Sequence, residues 1–372
     1  MRADCSRVPA APAEPRRHRA ITDRQGRAGR QLSQQPADEA AQRGSPSEAP
    51  TGSPPGGGTF SLEGRPAAGL YLVAWLLSGG GVAVAFLGSM ADPPARGLLL
   101  MAGLLMVTAG LAAAAGYQVV ARRDRPPSAY RGPAPLIVFG AFFVLVNAIV
   151  VALVALGLDI QTPTGIALAL IAQVAGYIVA IWLFAVRTGA LSWHDMDLRR
   201  PLTAGRLLGD VLVGAAVMVP ATLIILIVTA IVFTVLGVTP PQVVPTPRDP
   251  LQLALVGLAA VLLVPIAEEL FFRGFALTAW LRDLGERAAV ARSSFFFAVF
   301  HIINIQATTF DEGARQALGV ILIILPVGVV LGLMFTRRGL LAAMGAHAIY
   351  NGIGYFGRLL AEGLPQDMTP PS

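Results

Sequence analysis

Nine long apolar segments constrain this chain more than any other feature of its sequence. They lie near residues 69–91, 97–121, 134–157, 165–186, 208–237, 251–281, 288–305, 316–336 and 339–357. About 20 apolar residues are enough for a helix to cross a membrane, and only helices or closed barrels satisfy the backbone in lipid. Runs as continuously apolar as these are typical of helices and not of alternating barrel strands. The sequence therefore predicts an all-α fold, a polytopic transmembrane helical bundle with about nine spans.

The charged residues agree with a membrane protein and argue against a nucleic-acid partner. Only 13% of the residues are charged, whereas a soluble domain has about a quarter. The net charge of +6 comes from arginines, since the chain has no lysine, and most of these arginines lie in the tail or in short loops between apolar segments. We therefore expect no nucleic-acid partner. Cys5 is the single cysteine, which excludes an intrachain disulfide and a CxxC metal site.

The arginines also predict the orientation of the bundle. If the N-terminus is cytoplasmic and all nine segments span, the short cytoplasmic loops hold 13 arginines and the outside pieces hold 4. Short cytoplasmic loops are enriched in arginine and lysine. This distribution predicts a cytoplasmic N-terminus and a C-terminus outside.

The two ends of the chain differ in composition from the apolar region. Residues 1–66 are rich in Pro, Gly, Ser, Ala and Arg, and such a segment cannot bury enough apolar area to offset its ordering entropy. We predict a disordered cytoplasmic tail over 1–66, transmembrane helices over 67–245 and over 246–358, and a short C-terminal tail over 359–372.

The stretch "VPIAEELFFRGFA" places three ionisable residues inside the sixth apolar segment. Ionisable residues in a membrane span are costly and by default mark a functional site. Glu269 and Arg273 are four residues apart and can form an ion pair along one helix face. Glu268 points elsewhere and needs a partner from another helix. The candidates are His301 and His347, which lie inside the seventh and ninth segments.

These residues fall at similar depths and could meet. Glu268 lies 14 residues before Arg282, and His301 and His347 each lie 9 residues beyond an arginine, which places them roughly 21 Å and 14 Å into the membrane. Asn351 follows His347 by four residues and shares its helix face. A carboxylate beside a histidine can take a proton from water, and a histidine with an amide can donate hydrogen bonds to an oxyanion. The set therefore indicates a hydrolytic site.

This region contains three short motifs, "EELFFR", "FAVFH" and "HAIYN". They resemble, in the same order, the motifs of the CPBP family of intramembrane endopeptidases, which includes CAAX proteases and bacteriocin-processing or Abi-like proteins. The resemblance implies that 246–358 is the catalytic core of a glutamate-dependent protease. It also implies that Glu268 with His301 activates water, and that His347 with Asn351 lines the oxyanion hole. Phe297, which opens the second motif, is expected to pack.

The expected activity is cleavage of a peptide or membrane-protein substrate, in an integral protein of a bacterial cell membrane in contact with lipid. Glu268, His301 and His347 are acceptable zinc ligands, but the sequence has no HExxH motif, so we expect no cofactor. Two alternatives stay open. The chain could be a non-proteolytic immunity or scaffold protein of the same fold. A proton-coupled transporter is also open, although no inverted repeat is visible.

Overall fold

The computed structural model describes residues 61–160, 162–198, 203–241, 247 and 249–362. Over this part of the chain the regular structure is helical, with no strand. The helices are α1 Ala68–Met90, α2 Ala95–Ala121, α3 Pro135–Ala155, α4 Pro163–Ile181, α5 Ala204–Leu236, α6 Pro250–Leu281, α7 Glu286–Phe300, α8 Phe310–Arg338 and α9 Leu340–Glu362. The predictions for residues 1–60 and 363–372 lie outside the described residues.

Each predicted apolar segment corresponds to one of these helices. Seven of the described helices are long and apolar enough to cross a membrane. The other two are α7, which has 15 residues and is about 22 Å long, and α9, which carries the polar residues of the "HAIYN" motif. The predicted all-α transmembrane bundle is confirmed, and the chain is an integral membrane protein.

The helix ends follow from local sequence signals. Four helices begin with a side chain that accepts a hydrogen bond from the first turn, which is a favourable N-cap. These caps are Thr162, Thr203, Asp249 and Thr309. The step from α8 to α9 takes place at Gly339, where φ is 99°, in the region that favours glycine. A Cβ at Gly339 would also collide with the carboxylate of Asp197, which accepts a hydrogen bond from the Leu340 amide at 3.0 Å.

Helix α6 lies at the centre of the site-bearing part of the bundle, because it packs against α4, α7, α8 and α9. It is not a regular α-helix, since π-helical turns cover Ala259–Leu263 and Leu270–Leu277. Pro265 follows the first π-turn and has no N–H to donate to the preceding turn. The sequence predicts a regular helix here, and the two π-turns correct that expectation. Such π-turns are frequent at functional sites.

An aromatic cluster packs α3, α4, α6 and α7 together. Phe142 stacks on Tyr177 with ring centroids 3.9 Å apart, and Phe139 meets Phe300 edge to face at 4.7 Å. Phe272 of α6 meets Phe297 of α7 at 5.1 Å. Each such pair contributes about 0.5–1.5 kcal/mol beyond its buried area. The cluster therefore fixes the position of α6 between helices from both halves of the chain, while the division at residue 246 stays a prediction.

Charged side chains fasten the end of α6 to neighbouring loops. Asp283 accepts hydrogen bonds from both terminal nitrogens of Arg125, at 3.1 and 3.0 Å, and from the Tyr130 amide at 3.0 Å. Arg282 forms an ion pair with Asp195 at 2.9 Å. These contacts lie at the end of the bundle that the arginine distribution assigns to the cytoplasm.

Candidate active site

The three ionisable residues of α6 are buried. Glu269 and Arg273 are fully buried, and Glu268 is 5% exposed. The guanidinium of Arg273 donates from Nη1 to Glu269 Oε1 at 2.8 Å and from Nη2 to the Gly328 carbonyl at 3.3 Å. The structure thus contains the ion pair that the four-residue spacing suggests, although the intervening turn is π-helical.

His347 of α9 lies between the two glutamates. Its Nδ1 is 2.9 Å from Glu269 Oε1, which is a hydrogen bond, and its Nε2 is 3.9 Å from Glu268 Oε2. The Glu269 carboxylate is ionised because it pairs with Arg273, and an ionised carboxylate can only accept hydrogen bonds. Nδ1 of His347 is therefore the donor. Glu269 therefore orients His347 as well as neutralising Arg273, a second role that the sequence spacing did not indicate.

His301 lies where α7 changes into the short 3-10 turn His301–Asn304. Its Nδ1 is 2.8 Å from the Phe297 carbonyl. Because a carbonyl can only accept, Nδ1 carries the proton, and Nε2 is the ring nitrogen left for other contacts. Among the described residues no ion pair joins His301 to Glu268, so the histidine nearest to Glu268 by direct contact is His347.

The ring of Phe297 contacts both histidine rings and the Arg273 guanidinium. His301 meets it edge to face with centroids 4.5 Å apart, and His347 does so at 5.7 Å. The guanidinium carbon of Arg273 lies 4.3 Å from the same ring centroid, within the range of a cation–π interaction. Phe297 thus contacts both histidines and Arg273, and its carbonyl also fixes the His301 ring.

Asn351 is anchored to α6. Its Nδ2 donates to the Ala260 carbonyl at 2.8 Å, and Ala260 lies in the first π-turn, Ala259–Leu263. An amide nitrogen carries two hydrogens, so one N–H remains for another acceptor. The π-turn therefore supplies the carbonyl that holds Asn351 near the site.

The described part of the chain brings Glu268, Glu269, Arg273, Phe297 and His347 into one connected set of contacts. Residues 250–353 match the family model of the Rce1-like type II CAAX prenyl endopeptidases. The resemblance to the CAAX-protease family is confirmed. No curated protein and no solved structure matches the chain. The Rce1-like segment begins with α6 and ends two residues after Asn351, so all three motifs lie inside it. The match supports a hydrolase of the protease class in this integral membrane protein.

The two histidines of the Rce1-like segment keep Nε2 as the ring nitrogen available to a ligand, because Nδ1 of each is engaged by an acceptor within the protein. In the described part of the chain, no group of three or more His, Cys, Asp or Glu side chains is arranged to hold a metal ion. Structural and catalytic zinc sites need at least three protein ligands at about 2 Å. The expectation that no cofactor is needed stays a prediction.

One polar group of the site region lies outside the Rce1-like segment and was missed by sequence reasoning. The Tyr177 hydroxyl of α4 is buried and has no hydrogen-bond partner among the described residues, and the same holds for Glu269 Oε2 and Arg273 Nε. A lone tyrosine within the fourth apolar segment was the available signal. The sequence did not show that α4 packs against α6.

Proposed function

We propose that this protein is an intramembrane endopeptidase that cleaves a peptide or membrane-protein substrate with water activated by a glutamate and a histidine. One observation carries the proposal. Glu268 is buried in the Rce1-like segment without a hydrogen bond to any described group, and its Oε2 is 3.9 Å from His347 Nε2. A buried carboxylate without a hydrogen bond destabilises a fold, so a functional use accounts for it better than packing does.

The distance between the two groups suits a single water molecule. Two atoms 3.9 Å apart share positions that lie about 2.8 Å from each, which is hydrogen-bond length. In the proposed step, Glu268 takes a proton from such a water while the water oxygen attacks the scissile carbonyl carbon. The proton then passes to the amide nitrogen as the C–N bond breaks, which gives one new carboxyl and one new amine terminus.

We assign the remaining groups by the hydrogens they can offer. His347, held at Nδ1 by Glu269, donates from Nε2 when its ring carries a second proton. Together with the second N–H of Asn351 it would stabilise the oxyanion of the tetrahedral intermediate. His301, held at Nδ1 by the Phe297 carbonyl, presents Nε2 for proton transfer with Glu268. No step uses a metal or another cofactor.

We further propose that the protein lies in a bacterial cell membrane with its N-terminus in the cytoplasm. The excess of arginine in the loops on one side supports this orientation. Its partners would be the substrate and the surrounding lipid, without nucleic acid.

Comparison of membrane peptidomes tests the proposal. A strain that carries Glu268→Gln should accumulate an uncleaved substrate and lose its product peptides, because the amide cannot accept the proton. Glu286→Gln is the matched control, since Glu286 is exposed at the start of α7. Peptidomes that are identical in the wild-type and Glu268→Gln strains would refute the proteolytic function and favour the scaffold alternative.

A further inference from the structure

Packing accounts for the aromatic ring of Tyr177 but not for its hydroxyl group. Its ring stacks on Phe142 at 3.9 Å and meets Phe271 at 5.4 Å, and the residue is fully buried. The hydroxyl oxygen has no hydrogen-bond partner among the described residues. A buried hydroxyl without a partner destabilises the folded state. If packing were the whole role of this residue, phenylalanine would serve better.

Tyr177 packs against the part of α6 that carries Glu268. Helix α4 packs against the turn Val264–Glu269 of α6, and Phe271, which Tyr177 contacts, follows Glu268 by three residues. Tyr177 therefore contacts α6 less than one helical turn from Glu268. The Tyr177 phenol and the Glu268 carboxylate also interact electrostatically. Two buried polar groups without hydrogen bonds to described groups therefore lie on neighbouring helix segments that pack together.

The two oxygens of the Glu268 carboxylate have different surroundings. Oε2 faces His347 Nε2 at 3.9 Å, and this is the oxygen that the proposed mechanism uses to take the proton. The other oxygen has no hydrogen bond from a described residue. A phenol that donates to a carboxylate makes a short, charge-assisted hydrogen bond. Such a bond would stop the carboxylate from rotating away from the water.

We propose that Tyr177 is a positioning residue, which donates its hydroxyl hydrogen bond to the Glu268 carboxylate when substrate is bound and so holds the base in its reactive orientation. This inference rests on the proposed endopeptidase function. It also extends the active site beyond the Rce1-like segment, because Tyr177 belongs to α4 and the matched residues begin at 250.

The test uses the purified full chain in liposomes. The probe is a farnesylated peptide that ends in a CAAX tetrapeptide and carries a fluorophore and a quencher, chosen from the description of the matching family. Tyr177→Phe should lower kcat about 10-fold to 100-fold, the range expected when a reacting group is misplaced, and leave KM unchanged. Its melting temperature should be equal to or above that of the wild type, since the variant loses no hydrogen bond of the resting protein.

Tyr130→Phe is the matched control. The Tyr130 hydroxyl is also buried, but it donates to the Pro133 carbonyl at 2.9 Å in the loop before α3. This variant should melt earlier and keep its kcat, the reverse of the result for Tyr177→Phe. A structural role for both hydroxyls would lower both melting temperatures alike.

Two results would overturn the inference. The first is a full kcat for Tyr177→Phe in a preparation where Glu268→Gln is inactive. The second is a fall in melting temperature for Tyr177→Phe as large as that for Tyr130→Phe, because the hydroxyl would then have a structural partner. Cleavage of the probe by Glu268→Gln at the wild-type rate is a different failure, since it would refute the proposed function itself.

Discussion

Exchange of Glu269 for glutamine should cost stability, whereas the same exchange at Glu268 should cost activity. Both Glu269 and Arg273 are fully buried, and their ion pair is 2.8 Å long. Glu269→Gln keeps an oxygen that can accept from Arg273 and His347 but removes the negative charge. Breaking a buried pair by removing one partner costs about 3–5 kcal/mol, because the other charge stays buried and uncompensated. At about 2–4 °C per kcal/mol, the melting temperature should fall by roughly 6–20 °C.

Glu268→Gln should behave differently because no described group forms a hydrogen bond with Glu268. We expect its melting temperature to equal or exceed that of the wild type, because the amide removes a buried charge that has no hydrogen bond, while cleavage is abolished. Thermal unfolding in detergent and cleavage of the farnesylated probe measure the two effects. The double variant Glu269→Leu with Arg273→Met serves as the control. It removes both charges and should recover most of the stability lost by Glu269→Gln.

These assignments would be contradicted if Glu269→Gln had the melting temperature of the wild type and lost all cleavage, while Glu268→Gln melted at a lower temperature. The two glutamates would then have the opposite roles. A double variant as unstable as Glu269→Gln would refute the argument that an unpaired charge causes the loss.

The remaining predictions concern the oxyanion donors, the metal, the topology and the response to pH. His347→Ala and Asn351→Ala should each lower kcat by about 10²–10³-fold, as loss of an oxyanion donor does; unchanged turnover in either variant would remove that residue from the mechanism. Metal analysis by mass spectrometry of active, chelator-treated protein should find no stoichiometric zinc, and one zinc per chain that tracks activity would contradict this. A reporter fused to the C-terminus should read as outside the cytoplasm, whereas a cytoplasmic signal would remove one span or invert the bundle. Burial raises the pKa of Asp195, but hydrogen bonds from Ser192 and the charge of Arg282 outweigh it, so the pKa lies below its usual value. The stability that Asp195 contributes is present above the pKa of the unfolded chain, about 3.9, and is lost as pH falls through the lower folded value. On acidification below about pH 4, the melting temperature of Asp195→Asn should therefore fall by less than that of the wild type. Equal falls would argue against a stabilising role for the Asp195 carboxylate.

The number and the approximate bounds of the helices could be predicted from the sequence because each depends on local composition. A segment of about 20 apolar residues in lipid has to form a helix whatever its neighbours are. The π-turns of α6 could not be predicted in this way. They depend on how Pro265 and the neighbouring helices redirect backbone hydrogen bonds, as shown by the Ala260 carbonyl, which accepts from Asn351 of α9.

The candidate residues of the site could be named from the sequence, because ionisable groups are rare in membrane spans and here they fall into three motifs. The Glu269–Arg273 pair could be named as well, since the two residues are close along the chain and carry opposite charges. The tertiary structure alone decided the contacts between helices. Because α9 packs on α6, His347 forms a hydrogen bond with Glu269 and lies 3.9 Å from Glu268. Because α4 packs on α6, the Tyr177 ring contacts Phe271. The physical reason is that contacts within a helix follow from its repeat, whereas contacts between helices depend on side-chain shapes along whole surfaces, such as the aromatic cluster that fixes α3, α4, α6 and α7 against one another.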